Sequence, residues 1–233
     1  MRVLGIVPAR GGSKGIPRKN LRLLGGKPLL QYTAEAASQA TRLERTLLST
    51  EDGEIAALGE RLGLWVPFLR PLELAQDDTP TLDVLLHLVA WLYQNDMAYD
   101  AYCLLQPTTP FRTVREIDAA VELLARSDAD AVVSVIPVPK HDHPAWQMKL
   151  AENGALVLWN DDSLNHIVTR RQDLPPTYIR SGSIYLMRDV TLREKKSLYG
   201  EVCLPFVTSR ERHINLDTLD DWTQAEYFLR TRV

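Results

Sequence analysis

The stretch VLGIVPARGGSKGIPRKN, residues 3–20, places an apolar strand directly before a basic glycine loop. Residues 3–7 are a continuous apolar run, which is typical of a parallel strand covered on both faces. Residues 9–20 contain three glycines and four cations, namely Arg10, Lys14, Arg18 and Lys19. No acidic residue precedes Glu35. So much positive charge at the end of a strand predicts a site for an anion.

The composition is that of a globular protein. The 233 residues are 45% hydrophobic and 24% charged, which suits one domain with a core. The net charge is only −3, so we expect a local anion site and no nucleic-acid partner. Cys103 and Cys203 lie in apolar runs, which predicts reduced thiols and a cytoplasmic location. No stretch approaches the roughly 20 apolar residues of a membrane helix, so we expect no membrane contact.

Short β-branched runs alternate with longer helical patterns along most of the chain. The patterns predict strands at residues 3–7, 46–50, 64–69, 101–105, 131–138, 183–187 and 203–207. They predict helices at residues 31–43, 55–62, 82–93, 116–125 and 219–229. This order predicts an α/β fold with a mainly parallel sheet and helices on both faces.

The alternation is interrupted after Pro137 by a segment without a long helical pattern. Two alternating runs flank Asn153-Gly154, which is a strong hairpin signal. We therefore predict an α/β domain of residues 1–137 and 179–233, with residues 138–178 as an inserted β-rich arm. Such an arm is suited to a partner subunit, and the alternative is an extended surface excursion.

The basic loop leaves the first strand at the edge where open parallel sheets bind ligands. Its glycines allow the backbone to approach a ligand closely, and backbone N–H groups there can hold phosphate. The cations can offset phosphate charge through charge-assisted hydrogen bonds. The spacing fits neither a dinucleotide fingerprint nor a Walker phosphate loop. The alternative is a solvated turn with exposed cations.

Several segments resemble the CMP-sialic acid synthetases, the acylneuraminate cytidylyltransferases. PARGGSKGIPRKN resembles the first signature of that family, and further signatures follow in order. They are LLSTEDGEIA (47–56), RPLELAQDDTPT (70–81), LLQPTTPFR (104–112), SGSIY (181–185) and INLDTLDDWTQAE (214–226). The resemblance covers nearly the whole chain and implies a three-layer, Rossmann-like nucleotidyltransferase fold.

The resemblance also implies an activity. Family members transfer CMP from CTP to the anomeric hydroxyl of a 2-keto sugar acid, release pyrophosphate, need Mg²⁺ and form homodimers through the arm. If residues that match the family's signatures have the same roles here, the nucleotide would contact Arg10, Gly11, Gly12, Ser13, Lys14, Lys19, Asn20, Arg70 and Thr81. The sugar acid would contact Gln106, Arg171, Ser181 and Tyr185. Alternatively, Gln106 caps a strand end, Tyr185 is a core residue and Arg70 is a surface cation.

Catalysis is assigned by the same match to Arg10, Lys19 and Asp217. Mg²⁺ prefers hard oxygen ligands, commonly one or two carboxylates plus phosphate. Asp217 is the first candidate ligand and Asn215 the second, because many relatives have two aspartates where this chain has Asn215-Leu-Asp217. The amide brings no negative charge, so we expect weaker metal binding. The general base is open between Asp217 and a metal-bound hydroxide.

The sequence departs from the family at the sugar end. Many relatives have Asn-Gly-Ala where this chain has Ser181-Gly-Ser. The acceptor is therefore open among N-acetylneuraminate, deaminated neuraminate and legionaminate-like acids. The alternatives are a cytidylyltransferase for a shorter sugar acid or a phosphonate, a metal-dependent glycosyltransferase, and a non-catalytic nucleotide-binding protein.

Overall fold

A computed structural model describes residues 1–232, and the elements below are those of this range. In chain order the strands are β1 (Val3–Pro8), β2 (Leu23–Leu24), β3 (Lys27–Pro28), β4 (Arg45–Ser49), β5 (Ala101–Leu104), β6 (Ala131–Pro137), β7 (Met148–Leu150), β8 (Leu156–Leu158), β9 (Tyr178–Arg188) and β10 (Cys203–Val207). The α-helices are α1 (Leu29–Gln39), α2 (Gly53–Arg61), α3 (Thr81–Gln94), α4 (Val114–Ala125), α5 (Asp189–Arg193) and α6 (Leu219–Arg232). Within the described range, no helix has the length and apolarity needed to span a bilayer.

A six-stranded sheet in the order β10-β6-β9-β5-β1-β4 is the centre of the fold. Strands β1, β4 and β5 pair in parallel, as do β6 and β10. Strand β9 lies between β5 and β6 and is antiparallel to both. The predicted α/β fold with a mainly parallel sheet is confirmed, and the antiparallel β9 is a feature that the sequence patterns did not predict.

Both faces of the sheet are covered, which gives three layers. In β1, Val3 and Val7 pack in one core cluster with α1, α2 and α4. Leu4 and Ile6 point to the other face and pack with α3 and α5. A strand buried on both faces has to be apolar at successive positions, which explains the unbroken run that precedes the basic loop.

Helix α4 begins at the capping box that the sequence predicts. The Thr113 hydroxyl accepts a hydrogen bond from the Glu116 backbone N–H at 3.2 Å. In return, the Glu116 carboxylate accepts one from the Thr113 backbone N–H at 2.7 Å. An N-cap of this kind stabilises a helix by about 1 kcal/mol.

The strand predicted at residues 64–69 is wrong. Only Trp65 forms a bridge, to Leu47 of β4. Pro67 has no N–H for a ladder hydrogen bond, and this segment lies beyond β4, the edge strand of the sheet. The apolar composition of the segment alone did not reveal that its ladder with β4 is limited to Trp65.

Residues 138–177 connect β6 to β9 and contain the predicted hairpin. Strands β7 and β8 pair antiparallel, and Gly154 in their turn has φ +79°. The rest of the segment is made of short 3₁₀ turns and irregular chain. Its two ends are joined by a hydrogen bond from the Val138 N–H to the Thr177 carbonyl at 2.9 Å. The insertion therefore leaves the sheet at the end of β6 and returns at the adjacent start of β9, so its two ends lie side by side.

Candidate active site

A cavity of about 540 Å³ opens at the carboxyl edge of β1 and β5. Its lining comes from the basic loop, the segment before α3, the segment after β5 and the segment before α6. It brings together nine of the predicted site residues, namely Arg10, Ser13, Lys14, Lys19, Asn20, Arg70, Thr81, Gln106 and Asp217. These residues are far apart in sequence and meet because strand ends converge at this edge.

Four cations and two carboxylates line this cavity. The cations are Arg10, Lys14, Lys19 and Arg70, and the carboxylates are Asp77 and Asp217. Asp77 pairs with both Arg10 and Lys14, at 2.8 and 2.6 Å. The loop has no acidic neighbours in sequence, but acids from distant segments reach it. The expectation of uncompensated positive charge is corrected accordingly, and the cavity retains an excess of cations.

Lys19 is the most firmly held of the loop cations. Its Nζ donates to the Leu216 carbonyl at 2.6 Å and lies 3.4 Å from the Asp217 carboxylate. The side chain is only 12% exposed. Asn20, which follows, donates from Nδ2 to the Arg10 carbonyl at 2.9 Å and closes the loop. A charged group fixed in this way can stabilise developing charge with little reorganisation.

Glu51 anchors the loop to Arg70, a contact that sequence reasoning missed. Its carboxylate accepts from the Gly11 backbone N–H at 2.7 Å and from Arg70 Nη2 at 2.9 Å. The Arg70 and Glu51 side chains are 4% and 10% exposed, so Arg70 is not the surface cation of the alternative interpretation. Gly12 is exposed and has open space at its Cα. The sequence feature that could have identified Glu51 is its position two residues after β4, which places it at the same edge of the sheet as the basic loop.

Arg18 points away from the cavity, which corrects the expectation that all four loop cations face the anion. Its guanidinium pairs with Asp52 and with Glu54, the latter at 2.7 Å. Asp52 is also the N-cap of α2 and accepts from the backbone N–H of Glu54 and Ile55. Burial raises the pKa of Asp52, but the hydrogen bonds from Arg18 and these amides outweigh it and lower the pKa.

Contacts to its backbone hold Asp217 at the edge of the cavity. A Cβ on Gly15 would lie 2.2 Å from the Asp217 carbonyl oxygen, so only glycine permits this approach. Asp221, in the first turn of α6, accepts from the Asp217 and Thr218 N–H groups at 3.0 and 2.7 Å. The Thr218 hydroxyl in turn accepts from the Asp221 N–H at 3.2 Å, so the two residues form a capping box at the start of α6. The Asp217 side chain is 61% exposed and available to a ligand.

The side chains of Asn215 and Asp217 lie together, as their alternate spacing predicts. Asn215 donates from Nδ2 to the Asp217 carboxylate. One exposed carboxylate facing a cation-rich cavity fits Mg²⁺, which takes phosphate oxygens as further ligands. Asn215 fits less well, because its amide has to turn before its oxygen can face the same ion.

Arg112, at the end of the LLQPTTPFR segment, is a fully buried cation that the predictions omitted. It donates to the carbonyls of Gln106 and Ser183, the latter at 3.0 Å, and to the Thr33 hydroxyl at 2.7 Å. Burial lowers its pKa to about 10. Because all three partners are uncharged, Arg112 fixes the backbone behind Gln106 while the Gln106 side chain faces the cavity.

The Ser181-Gly182-Ser183 segment is a bulge in β9. The register with β6 jumps from Tyr185 to Arg180 at this point. The Ser181 hydroxyl donates to Ser134 at 2.6 Å and does not line the cavity. Gly182 has φ +72°, and a Cβ there would meet the Thr109 hydroxyl at 3.3 Å. The bulge therefore lies beside the segment after β5. The Ser181 side chain stabilises the bulge through its hydrogen bond to Ser134.

Three further predicted residues lie outside the cavity lining. Tyr185 is 9% exposed and packs in the core cluster beside Tyr199, because alternation along β9 turns it inward. Arg171 is exposed on a 3₁₀ turn of the inserted segment. Asn215 contacts the cavity only through Asp217. The structure does not bring Tyr185 or Arg171 to the other site residues within one chain.

The chain is similar in sequence to known cytidylyltransferases. The cytidylyltransferase family model matches residues 4–228. The chain is 36% identical over 227 residues to CMP-N,N'-diacetyllegionaminic acid synthase of Legionella pneumophila, covering 97% of this chain and 95% of that one. It is 28% identical to a pseudaminic acid cytidylyltransferase of Campylobacter jejuni, covering 95% and 93%. Against the N-acylneuraminate cytidylyltransferase of Escherichia coli it is 29% identical but spans about half of that protein's length.

Solved structures show the same fold. The structure of CMP:2-keto-3-deoxy-manno-octonic acid synthetase complexed with CTP has a TM-score of 0.72 at 16% identity, with both chains fully covered. A 4-diphosphocytidyl-2C-methyl-D-erythritol synthase has a TM-score of 0.67 at 14% identity, with 98% of both chains covered.

The fold and the family match together define a nucleotidyltransferase. More narrowly, the chain belongs to the cytidylyltransferase family, in the group of CMP-sialic acid synthetases that its sequence motifs indicate, so the resemblance is confirmed.

Proposed function

We propose that this chain transfers CMP from CTP to the anomeric hydroxyl of a sialic-acid-like nonulosonic acid. The observation that carries the proposal is the convergence of Arg10, Lys14, Lys19 and Arg70 on one cavity at the carboxyl edge of the sheet. The four cations and two carboxylates of the lining leave an excess of two positive charges, which favours the binding of a triphosphate with its about four negative charges. The relatives named for legionaminic, pseudaminic and N-acylneuraminic acids support an acceptor of this class.

The reaction needs electrostatic stabilisation more than a protein nucleophile. The anomeric hydroxyl gives its proton to a general base, for which Asp217 is the candidate on this chain, and its oxygen forms a bond to the α-phosphorus. The bond from that phosphorus to the bridging oxygen breaks, and pyrophosphate leaves with the electron pair. In this proposal Arg10 and Lys14 bind the outer phosphates and Lys19 stabilises the charge that develops during transfer. Its support is that all three line the cavity and that the Leu216 carbonyl holds the Lys19 ammonium group. Contacts of this kind, preorganised before the reaction, provide much of the rate enhancement in phosphoryl transfer.

We propose Mg²⁺ as the cofactor, held by Asp217 with Asn215 beside it. When bound, Mg²⁺ neutralises charge on the triphosphate and on the leaving group. Asp217 supplies the negative charge of the site, and its backbone is fixed by Asp221 and by the contact with Gly15. Gln106 can both donate to and accept from a sugar hydroxyl, and Arg112 fixes the backbone behind it.

The proposed function is tested by pyrophosphate release with CTP, Mg²⁺ and a panel of sugar acids. The panel contains N,N'-diacetyllegionaminate, pseudaminate, N-acetylneuraminate, deaminated neuraminate and 3-deoxy-manno-octulosonate. We expect turnover with at least one nine-carbon acid and none with UTP in place of CTP. Turnover with the shorter acid alone, or CTP binding without turnover on any acceptor, would contradict the proposal.

Replacing Asn215 with aspartate should strengthen metal binding. A second carboxylate beside Asp217 adds negative charge and removes the amide that donates to it. We expect the Mg²⁺ concentration at half-maximal activity to fall about tenfold, within the range seen when groups around a metal are changed. Gln224→Glu, at an exposed position of α6 outside the cavity lining, adds the same negative charge and is the control for changes in surface charge. An unchanged Mg²⁺ midpoint in Asn215→Asp would show that residue 215 is not a ligand.

We also propose that two copies associate through the inserted segment, and that the enzyme works in the cytoplasm. The hairpin exposes large apolar side chains, with Leu150 71%, Leu156 53% and Trp159 62% exposed. Exposed apolar patches of this kind are typical of interfaces. Both cysteines are free, which agrees with a reducing compartment.

The double variant Leu150→Asp/Leu156→Asp should weaken the dimer by about 100-fold or more, because each change places a charge in an apolar contact. Sedimentation equilibrium over a range of concentrations measures the change. The control is Leu23→Asp, which makes the same change at a residue that is 58% exposed and lies in β2, outside the inserted segment. Equal association constants for wild type and the double variant would place the interface elsewhere.

A further inference from the structure

Asp77 occupies an unusual position for an acidic side chain, since it lies among the cations of the proposed phosphate site. One of its carboxylate oxygens is 2.8 Å from Arg10 Nη2, and the other is 2.6 Å from Lys14 Nζ. The hydrogen bond from Lys14 lowers the pKa of Asp77, so the carboxylate is ionised at neutral pH. A single side chain thus pairs with two of the four cavity cations and offsets one of their two positive charges.

These two ion pairs are exposed and replaceable. The side chains of Asp77 and Lys14 are 40% and 81% exposed, and that of Arg10 is 31% exposed. Ion pairs at this exposure are weak, because water competes for both partners. Asp77 lies on the short connection between the 3₁₀ turn Leu72–Ala75 and α3. Its side chain can turn toward solvent without disturbing either element.

We infer that Asp77 is an internal competitor of the phosphate chain for Arg10 and Lys14, and that its return to these cations helps pyrophosphate to leave. The inference rests on the proposed function, because it takes this loop as the triphosphate site. A phosphate oxygen and the Asp77 carboxylate cannot both occupy the same donor positions on Arg10 and Lys14. Part of the binding free energy of any phosphate ligand is therefore used to displace Asp77.

The chain provides a matched control in the adjacent residue. Asp78 is exposed, and among the residues that the structure describes it forms no ion pair and does not line the cavity. Asp77→Asn and Asp78→Asn change the net charge equally and at neighbouring positions. A difference between them therefore measures the contacts of Asp77 and not the general field of the protein.

The test measures binding of inorganic pyrophosphate to both variants by calorimetry, in EDTA so that no metal contributes, and its dissociation rate by stopped flow. We expect Asp77→Asn to bind pyrophosphate about three- to tenfold more tightly than wild type, the size expected for removing exposed ion pairs. Most of the change should be in the dissociation rate. Asp78→Asn should differ from wild type by less than about twofold, and the effect of Asp77→Asn should shrink at high salt.

Two outcomes would overturn the inference. Equal tightening in both variants would assign the effect to net charge, and weaker binding in Asp77→Asn would make Asp77 a ligand-binding group. A third variant separates this result from failure of the proposed function. If Arg10→Ala binds pyrophosphate as tightly as wild type, the loop is not the phosphate site and both proposals fail. If Arg10→Ala weakens binding while Asp77→Asn binds pyrophosphate as wild type does, the proposed function survives and the inference about Asp77 fails.

Discussion

Lys19→Ala is expected to lower kcat/KM by about 100- to 1,000-fold, the loss typical when one preorganised charge-stabilising donor is removed. Lys19 is suited to this role because its ammonium group is already fixed by the Leu216 carbonyl and lies beside Asp217. It therefore needs little rearrangement when charge develops on the phosphates. The measurement is steady-state pyrophosphate release with the best acceptor of the panel.

The control is Arg18→Ala, which removes a neighbouring cation that points away from the cavity to Asp52 and Glu54. We expect its kcat/KM to stay within about threefold of wild type, because exposed ion pairs contribute little. Circular dichroism should show both variants folded. Equal losses of activity in the two variants would mean that overall loop charge matters and that the position of Lys19 does not.

Asp217→Asn is expected to lower kcat by at least about 100-fold and to raise the Mg²⁺ midpoint by at least about tenfold. The substitution keeps the shape of the side chain and removes the carboxylate that we propose as the metal ligand. The Asp217 backbone is held by Asp221 and beside Gly15, so the fold should survive the change. Activity is measured across a Mg²⁺ titration with saturating CTP.

Asp220→Asn is the matched control, since Asp220 is exposed in the first turn of α6 and does not line the cavity. Its removal changes only a favourable interaction with the helix dipole, which is small at the surface. A normal Mg²⁺ midpoint in Asp217→Asn would assign the metal to other residues, even if kcat falls.

The sequence predicted the parts of the site that depend on local chain chemistry. Glycine spacing and clustered cations identified the loop, and short-range periodicity identified most strands and helices. It could not predict partners that only the folded chain brings together. Glu51, Asp77 and Arg112 each contact segments that are distant in sequence, and no local pattern specifies such a pairing.

Tyr185 was assigned to the sugar by match to the family, and the structure packs it in the core cluster, outside the cavity lining. The errors in the predicted strands have physical causes of the same kind. Segment 64–69 has strand-like composition, but Pro67 prevents a ladder. Strand β9 lies directly beside β6 and runs antiparallel to it. The insertion that joins them, residues 138–177, contains no α-helix, and a parallel neighbour would need a crossover connection, usually a helix.

The single attachment point of the inserted segment makes this enzyme modular. The Val138–Thr177 hydrogen bond brings both ends of the insertion together, and no residue of 138–178 lines the nucleotide cavity. Changes of length or sequence in the insertion are therefore separated from the machinery that handles CTP. If the proposed subunit contact through the insertion holds, substitutions there should alter association of the two copies and leave the kinetics of CMP transfer unchanged.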